Sequence, residues 1–164
     1  MPFNLLKTYN QLLEIAHMSE AERRKSLYAI FKRDFEDNPG LNFRGKKINP
    51  IKGKEPEMQT LFTHLTTVID DKKERNRIFE TQRSLRLHWI RYHLEEKKEN
   101  IKVFSVHDPD GIRTYILDED EHYVIVLAPY RNFQEYFLLT AYYLEGRNFE
   151  KIQKKYQRRL PEVY

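Results

Sequence analysis

The chain has no cysteine, which excludes a disulfide framework and any thiolate metal site. No apolar run approaches the ~18–20 residues of a membrane span. The N-terminal MPFNLLKTYNQLLEIAH lacks the basic region, apolar stretch and cleavage site of a secretory signal. A cytoplasmic location and no membrane partner are therefore expected. Glycine is scarce, at 5 of 164 residues, and neither a Gly-rich phosphate loop nor HExxH nor G-x-S-x-G occurs. His64, His88 and His93 show no metal-ligand spacing, so neither metal nor cofactor is expected.

What the chain does have is aromatic bulk: 11 Tyr, 10 Phe and 1 Trp, enough large rings to build one sizeable core. Its net charge of +4 is unevenly spread, about +3 over residues 1–57, +2 over 58–100, −4 over 101–130 and +3 over 131–164. Basic ends around one acidic patch suit a polyanionic partner that touches only part of the surface, and an ordinary charged surface is the plain alternative.

Residues 3–16 place Leu5, Leu6, Leu12, Leu13 and Ile15 near helical spacing. Ser19 followed by Glu22 makes a capping box for a helix that carries Leu27, Ile30, Phe31 and Phe35 and stops at DNPG, residues 37–40. The basic stretch FRGKKINPIKGKEPE, with Lys46 and Lys47, lacks periodic apolar residues and is expected to be a loop. Met58, Leu61, Phe62, Leu65 and Ile69 predict one helix, and a second is expected from about Lys73 to Glu96. From Ile101 the period changes to two: IKVFSV, RTYIL, HYVIVLAP and EYFLLTAYYL read as four strands. A basic helix over residues 147–158 follows. The expected fold is α+β, with N-terminal helices packed on a four-stranded antiparallel meander and a C-terminal basic helix. Residues 1–57 read as a helical extension with a basic loop, and 58–164 as the α+β domain.

Three groups can carry chemistry. In the last strand, simple alternation puts Tyr136, Leu138, Thr140 and Tyr142 on one side, with the two terminal hydroxyls about 7 Å apart. Such a pair can orient a phosphate, although Thr and Tyr also simply favour strands. Arg83 and Arg86, one turn apart beside apolar sectors, need either an acidic partner or a bound anion. His64, at the edge of its helix stripe, suits general acid or base catalysis, with a structural histidine at the core boundary as the alternative.

The helix bearing His64, the run RSLRLHWI at residues 83–90 and the strand YFLLTAYY together resemble the phage-associated branch of the barnase–EndoU–colicin–RelE nucleases, over roughly residues 58–160. The resemblance implies a sheet platform for RNA and metal-independent cleavage by 2′-hydroxyl attack, leaving a 2′,3′-cyclic phosphate. It implies His64 as general base or acid, Arg83 or Arg86 as phosphate clamp, and Thr140 and Tyr142 as orienting groups. Tyr130 and Arg131 would touch substrate, as would Lys46 and Lys47 of the basic stretch. A toxin-like protein of this kind would also meet a protein partner such as an antitoxin or immunity protein. No second general acid or base stands out, so a non-catalytic RNA- or protein-binding module on the same fold is the alternative reading.

Overall fold

A strand covered on both faces carries apolar residues at consecutive positions, and YVIVLA is such a run. The computed structural model describes residues 3–53, 56–71 and 76–164. A single 3-10 turn, Phe3–Leu6, precedes α1 (Glu20–Phe31), whose end winds on as a π-helical stretch, Lys32–Glu36. Then come β1 (Asn42–Phe43), β2 (Lys46–Pro50), α2 (Glu57–Thr66), β3 (Thr67–Asp71), β4 (Asn76–Phe79), α3 (Thr81–Ser84) and α4 (Trp89–Leu94). The chain continues as β5 (Lys102–Asp108), β6 (Gly111–Asp118), β7 (Tyr123–Tyr130), β8 (Glu135–Tyr143) and α5 (Arg147–Gln157). Among the described residues no helix is long and apolar enough to cross a membrane.

The architecture is α+β, but the expected four-stranded antiparallel meander is not the whole sheet. Strands β5 to β8 do form an antiparallel meander, and β1 and β2 extend it into a six-stranded mixed sheet of order β1-β2-β8-β7-β6-β5. β2 runs parallel to β8, with Lys47 opposite Glu135 and Pro50 opposite Leu138. The basic stretch is therefore strand over Lys46–Pro50 and not loop; its residues 54 and 55 lie outside the described residues. Arg44 and Gly45 turn β1 into β2, both with positive φ (+52° and +81°), the backbone of a two-residue hairpin turn that glycine tolerates.

Two helix boundaries also differ from expectation. α2 ends at Thr66 because Thr66-Thr67-Val68-Ile69 is a β-branched run, and Thr67–Asp71 pairs with Asn76–Phe79 as a separate antiparallel hairpin. The expected helix over 73–96 is thus replaced by β4 and two short helices, and residues 73–75 lie outside the described residues. Residues 3–16 make one 3-10 turn and no α-helix. Ser19 caps α1 with Glu22 in the reciprocal capping box.

Side chains on one sheet face, among them Tyr123, Ile125, Leu127, Leu138 and Ala141, share a core with Leu13, Ile15, Phe31, Phe43, Leu61, Leu87 and Trp89. Residues before position 57 thus supply two strands and part of this core. The other face, with Phe104, Tyr115, Val124 and Val126, is closed by Leu144 and by Phe149, Ile152 and Tyr156 at and beyond the start of α5.

One carboxylate ties the N-terminal segment and α4 to the sheet. Asp118, fully buried at the end of β6, accepts from the Tyr9 hydroxyl, from the Glu121 amide (3.2 Å) and faces His93 Nε2 at 2.9 Å. His93 Nδ1 lies 2.7 Å from the Trp89 carbonyl, and Tyr9 stacks on Tyr92 at 4.4 Å. Burial alone would raise the Asp118 carboxyl; the bonds from His93 and Tyr9 outweigh it and hold it below the ordinary aspartate range. Its stabilisation is therefore complete above the ordinary aspartate pKa of ~4 and is lost as pH falls through the depressed folded value. Asp118→Ala should lower the unfolding free energy at neutral pH by roughly 2–4 kcal/mol, because it leaves buried His93 and half-buried Tyr9 without their partner. Urea denaturation between about pH 5 and pH 3 should show the native chain losing stability more steeply than the variant; equal slopes would mean that Asp118 titrates normally.

Candidate functional site

β8 is paired on both sides only over its first half. β2 stops at Pro50, opposite Leu138, while β7 continues along β8 to Tyr143. At the same point the β7–β8 register shifts: Val126 pairs with Thr140 and Leu127 with Leu138, leaving Leu139 as an extra residue. This bulge changes the alternation expected for EYFLLTAYY. Tyr136, Leu138 and Ala141 share the core with the helices, whereas Leu139 and Tyr142 pack towards the α5 side, and Thr140 lies opposite Val126 of that same cluster. Thr140 and Tyr142 still share a face, but not with Tyr136 and Leu138.

α2 and α3 lie against β8, and Arg83 of α3 holds the junction together. Its Nη1 donates to the His64 carbonyl (3.1 Å), the Thr67 carbonyl (3.1 Å) and Thr140 Oγ1 (3.2 Å). Its Nε donates to Glu80 Oε2 at 3.3 Å, and the guanidinium lies 5.7 Å from the Tyr142 ring centroid. Glu80 is the N-cap of α3 and accepts from the amides of Gln82 (2.8 Å) and Arg83 (3.0 Å), so the same carboxylate shapes the helix start and orients the arginine. With its side chain only 12% exposed, Arg83 is too enclosed to move freely.

Arg77, on β4, is a member of this cluster that the sequence reading missed. Its Nε donates to Thr67 Oγ1 (2.8 Å) and its Nη2 to the Thr67 carbonyl (3.0 Å). The signal that could have found it is the β-branched run at 66–69, which ends α2 early and folds residue 77 back beside residue 67. His64 is partly buried next to both arginines. Burial first, then the charges of Arg77 and Arg83, push its imidazole below the ordinary histidine value, so it is neutral at pH 7 and can accept a proton. Burial pushes the Tyr142 hydroxyl up against the pull of Arg83, so it stays protonated and can donate.

The other candidates lie elsewhere. Arg86 does not join Arg83, because α3 ends at Ser84 and the two side chains diverge. It is buried, donates from Nη1 to the Gln82 carbonyl (2.8 Å) and to Gln82 Oε1 (2.9 Å), and spreads over the Tyr143 ring at 3.9 Å. Its Nε has no hydrogen-bond partner among the described residues. Tyr130 and Arg131 sit at the opposite end of β8: Tyr130 stacks on Phe137 at 4.0 Å and Arg131 pairs with Glu135 at 3.2 Å. Lys47 stands opposite Glu135 in the sheet, and Lys46 lies 5.1 Å from the Tyr136 ring. These four residues form one group, but Glu135 and Thr140 are five strand positions apart, roughly 15 Å. His88 and His93 are buried structural histidines, His88 Nε2 meeting the Thr8 carbonyl at 3.0 Å.

The arrangement has one imidazole, held below its ordinary value, with the charges of two guanidinium groups acting on it, a combination suited to an oxyanion such as a phosphodiester. Arg77→Gln should raise the His64 titration midpoint, read by NMR of the ring protons, without restoring the full ordinary value, because burial is the larger cause. An unchanged midpoint would remove Arg77 from the site.

Comparison of the chain with protein-family models, with curated protein sequences and with solved structures gives no match in any of the three.

Proposed function

We propose that this chain binds RNA at the His64–Arg77–Arg83–Thr140–Tyr142 cluster and cleaves it as a metal-independent endoribonuclease. The observation that supports this reading most is the meeting of Arg83 with Thr140 and Tyr142 beside His64, residues drawn from α2, α3 and β8. Neutral His64 takes the proton of a ribose 2′-hydroxyl, whose oxygen attacks the adjacent phosphorus. The bond to the 5′-oxygen breaks, water protonates that oxygen, and a 2′,3′-cyclic phosphate is left. Arg77 and Arg83 offset the negative charge that builds up on the phosphoryl oxygens, and the Tyr142 hydroxyl donates to one of them. Thr140, held by Arg83, sets the angle of the arginine rather than touching phosphate.

The reading of a non-catalytic RNA-binding module has its own support. His64 is the single imidazole of the cluster, so no second general acid faces it, and Arg83 Nη1 already serves three protein oxygens. One experiment separates the two. Purified protein with single-stranded RNA in EDTA should give products with 2′,3′-cyclic phosphate ends, and His64→Ala should slow cleavage about 10²–10⁴-fold. The rate should fall as pH drops through the depressed His64 value. Salt-dependent RNA binding without turnover would leave only the binding module, and intact RNA with no binding at all would end both readings.

A further inference from the structure

α5 has two chemically distinct sides. Phe149, Ile152 and Tyr156, at i, i+3 and i+7, close the second core against Phe104 and Tyr142. Arg147, Lys151, Lys154 and Arg158, at i, i+4, i+7 and i+11, form the opposite stripe, and all four are exposed. Residues 147–159 carry six basic side chains against the single acid Glu150, an excess of five positive charges where the whole chain has a net +4. The remainder of the chain, basic over residues 1–100 and acidic over 101–130, sums to −1, so this one short segment carries an excess as large as that of residues 1–100 together. Lys155 is neutralised by Asp108 at 2.7 Å, and Arg158 lies 3.8 Å from the same carboxylate. Arg147, Lys151 and Lys154 make no ion pair among the described residues.

The stripe is linked to β8 by a run of rings. Arg86 covers Tyr143, the Tyr143 ring centroid is 6.4 Å from that of His122, and His122 stacks on Phe149 of α5 at 4.2 Å with the planes 10° apart. His122 is exposed, with Phe149 covering one face of its ring and Tyr143 further off, so the run of rings reaches solvent at this residue. Of the acidic residues around it, Asp118 is buried, Glu119 pairs with Lys102 and Asp120 with Lys98, while the charges of Glu121 and Glu145 act towards Arg86. Tyr142, which faces Arg83, also packs against the core that α5 closes, so one side chain joins the candidate site to that core.

We propose that the outer face of α5 is a track for single-stranded RNA, with His122 as a base-stacking platform between the track and the Arg83 site. The proposal rests on the RNA reading above and names the part of the surface that gives it affinity and length. A basic stripe interleaved with rings suits a single strand, whose phosphates meet the cations while its bases meet the aromatic faces.

The test uses the full chain carrying His64→Ala, so that binding is read without cleavage. Affinity for a labelled single-stranded RNA is measured over a range of salt. Arg147→Gln, Lys151→Gln and Lys154→Gln together should reduce the slope of log affinity against log salt by about 2, from ~0.7 per lost phosphate contact. Neutralising Arg24 and Lys25, exposed on α1, should leave the slope unchanged. His122→Ala should weaken binding about tenfold at fixed salt and keep the slope, as loss of one stacked base does. Far-UV circular dichroism and thermal melting check that each variant folds. RNA binding whose slope ignores the α5 changes, or responds equally to the α1 changes, overturns the track and leaves the His64 site standing. Absence of RNA binding together with binding to phosphatidylserine vesicles overturns both.

Discussion

A β-strand that loses its neighbour must have its open side covered, and β8 loses β2 halfway along its length. The candidate site is built from that covering. Past Leu138 no strand pairs with β8 on the side away from β7 among the described residues, and α2 and α3 lie against it instead. Arg83 is the device that makes this cover fit. Its fork joins the carbonyl end of α2, the first residue of β3 and the Thr140 hydroxyl, while Glu80 fixes it from behind. Because the arginine must stay there to hold the fold, positive charge is held permanently beside His64. Structure and electrostatics at this site are one set of bonds.

The histidines show how different surroundings assign one side chain different tasks. His93 is buried with both ring nitrogens facing protein oxygens and His88 with its Nε2 on the Thr8 carbonyl, and their work is to join the N-terminal segment to α4 and the sheet. His122 is exposed and acts as a flat surface on Phe149. Of these, only His64 combines partial burial with two cationic neighbours, and that combination keeps its ring neutral and accessible.

Local signals in the chain were legible and long-range ones were not. The Ser19–Glu22 capping box, the end of the first helix before DNPG, and the four strands from residue 102 onwards depend on neighbours close in sequence, and they stand where the pattern puts them. β2 was not legible, because a short basic edge segment becomes a strand only when Glu135–Leu138 comes beside it. The bulge at Leu139 was hidden for the same reason: register belongs to a pair of strands, and one strand read alone shows strict alternation. Treating 73–96 as one helix kept Arg83 and Arg86 on a common face. The break at Ser84 sends Arg86 to Tyr143 and leaves Arg83 with Arg77, a partner hidden by extending α2 to Ile69. Tyr130, Arg131, Lys46 and Lys47 lie together around Glu135 and Tyr136, at the other end of β8 from Thr140, a separation that only the strand's full length reveals.

The parallel pairing of Lys47 with Glu135 also bears on the order in which the molecule assembles. Closing so long a loop costs chain entropy before any ladder bond offsets it, whereas β5 to β8 are joined by short turns and can zip in sequence. The meander is thus the natural nucleus, and β1–β2 docks onto a β8 that already exists. On a ribosome the first strands wait, with Phe43 and Ile48 uncovered, until the last strand emerges. The basic side chains of that hairpin, Arg44 and Lys47 exposed and Lys46 half-buried, then act as a safeguard that keeps the waiting edge from pairing with another chain.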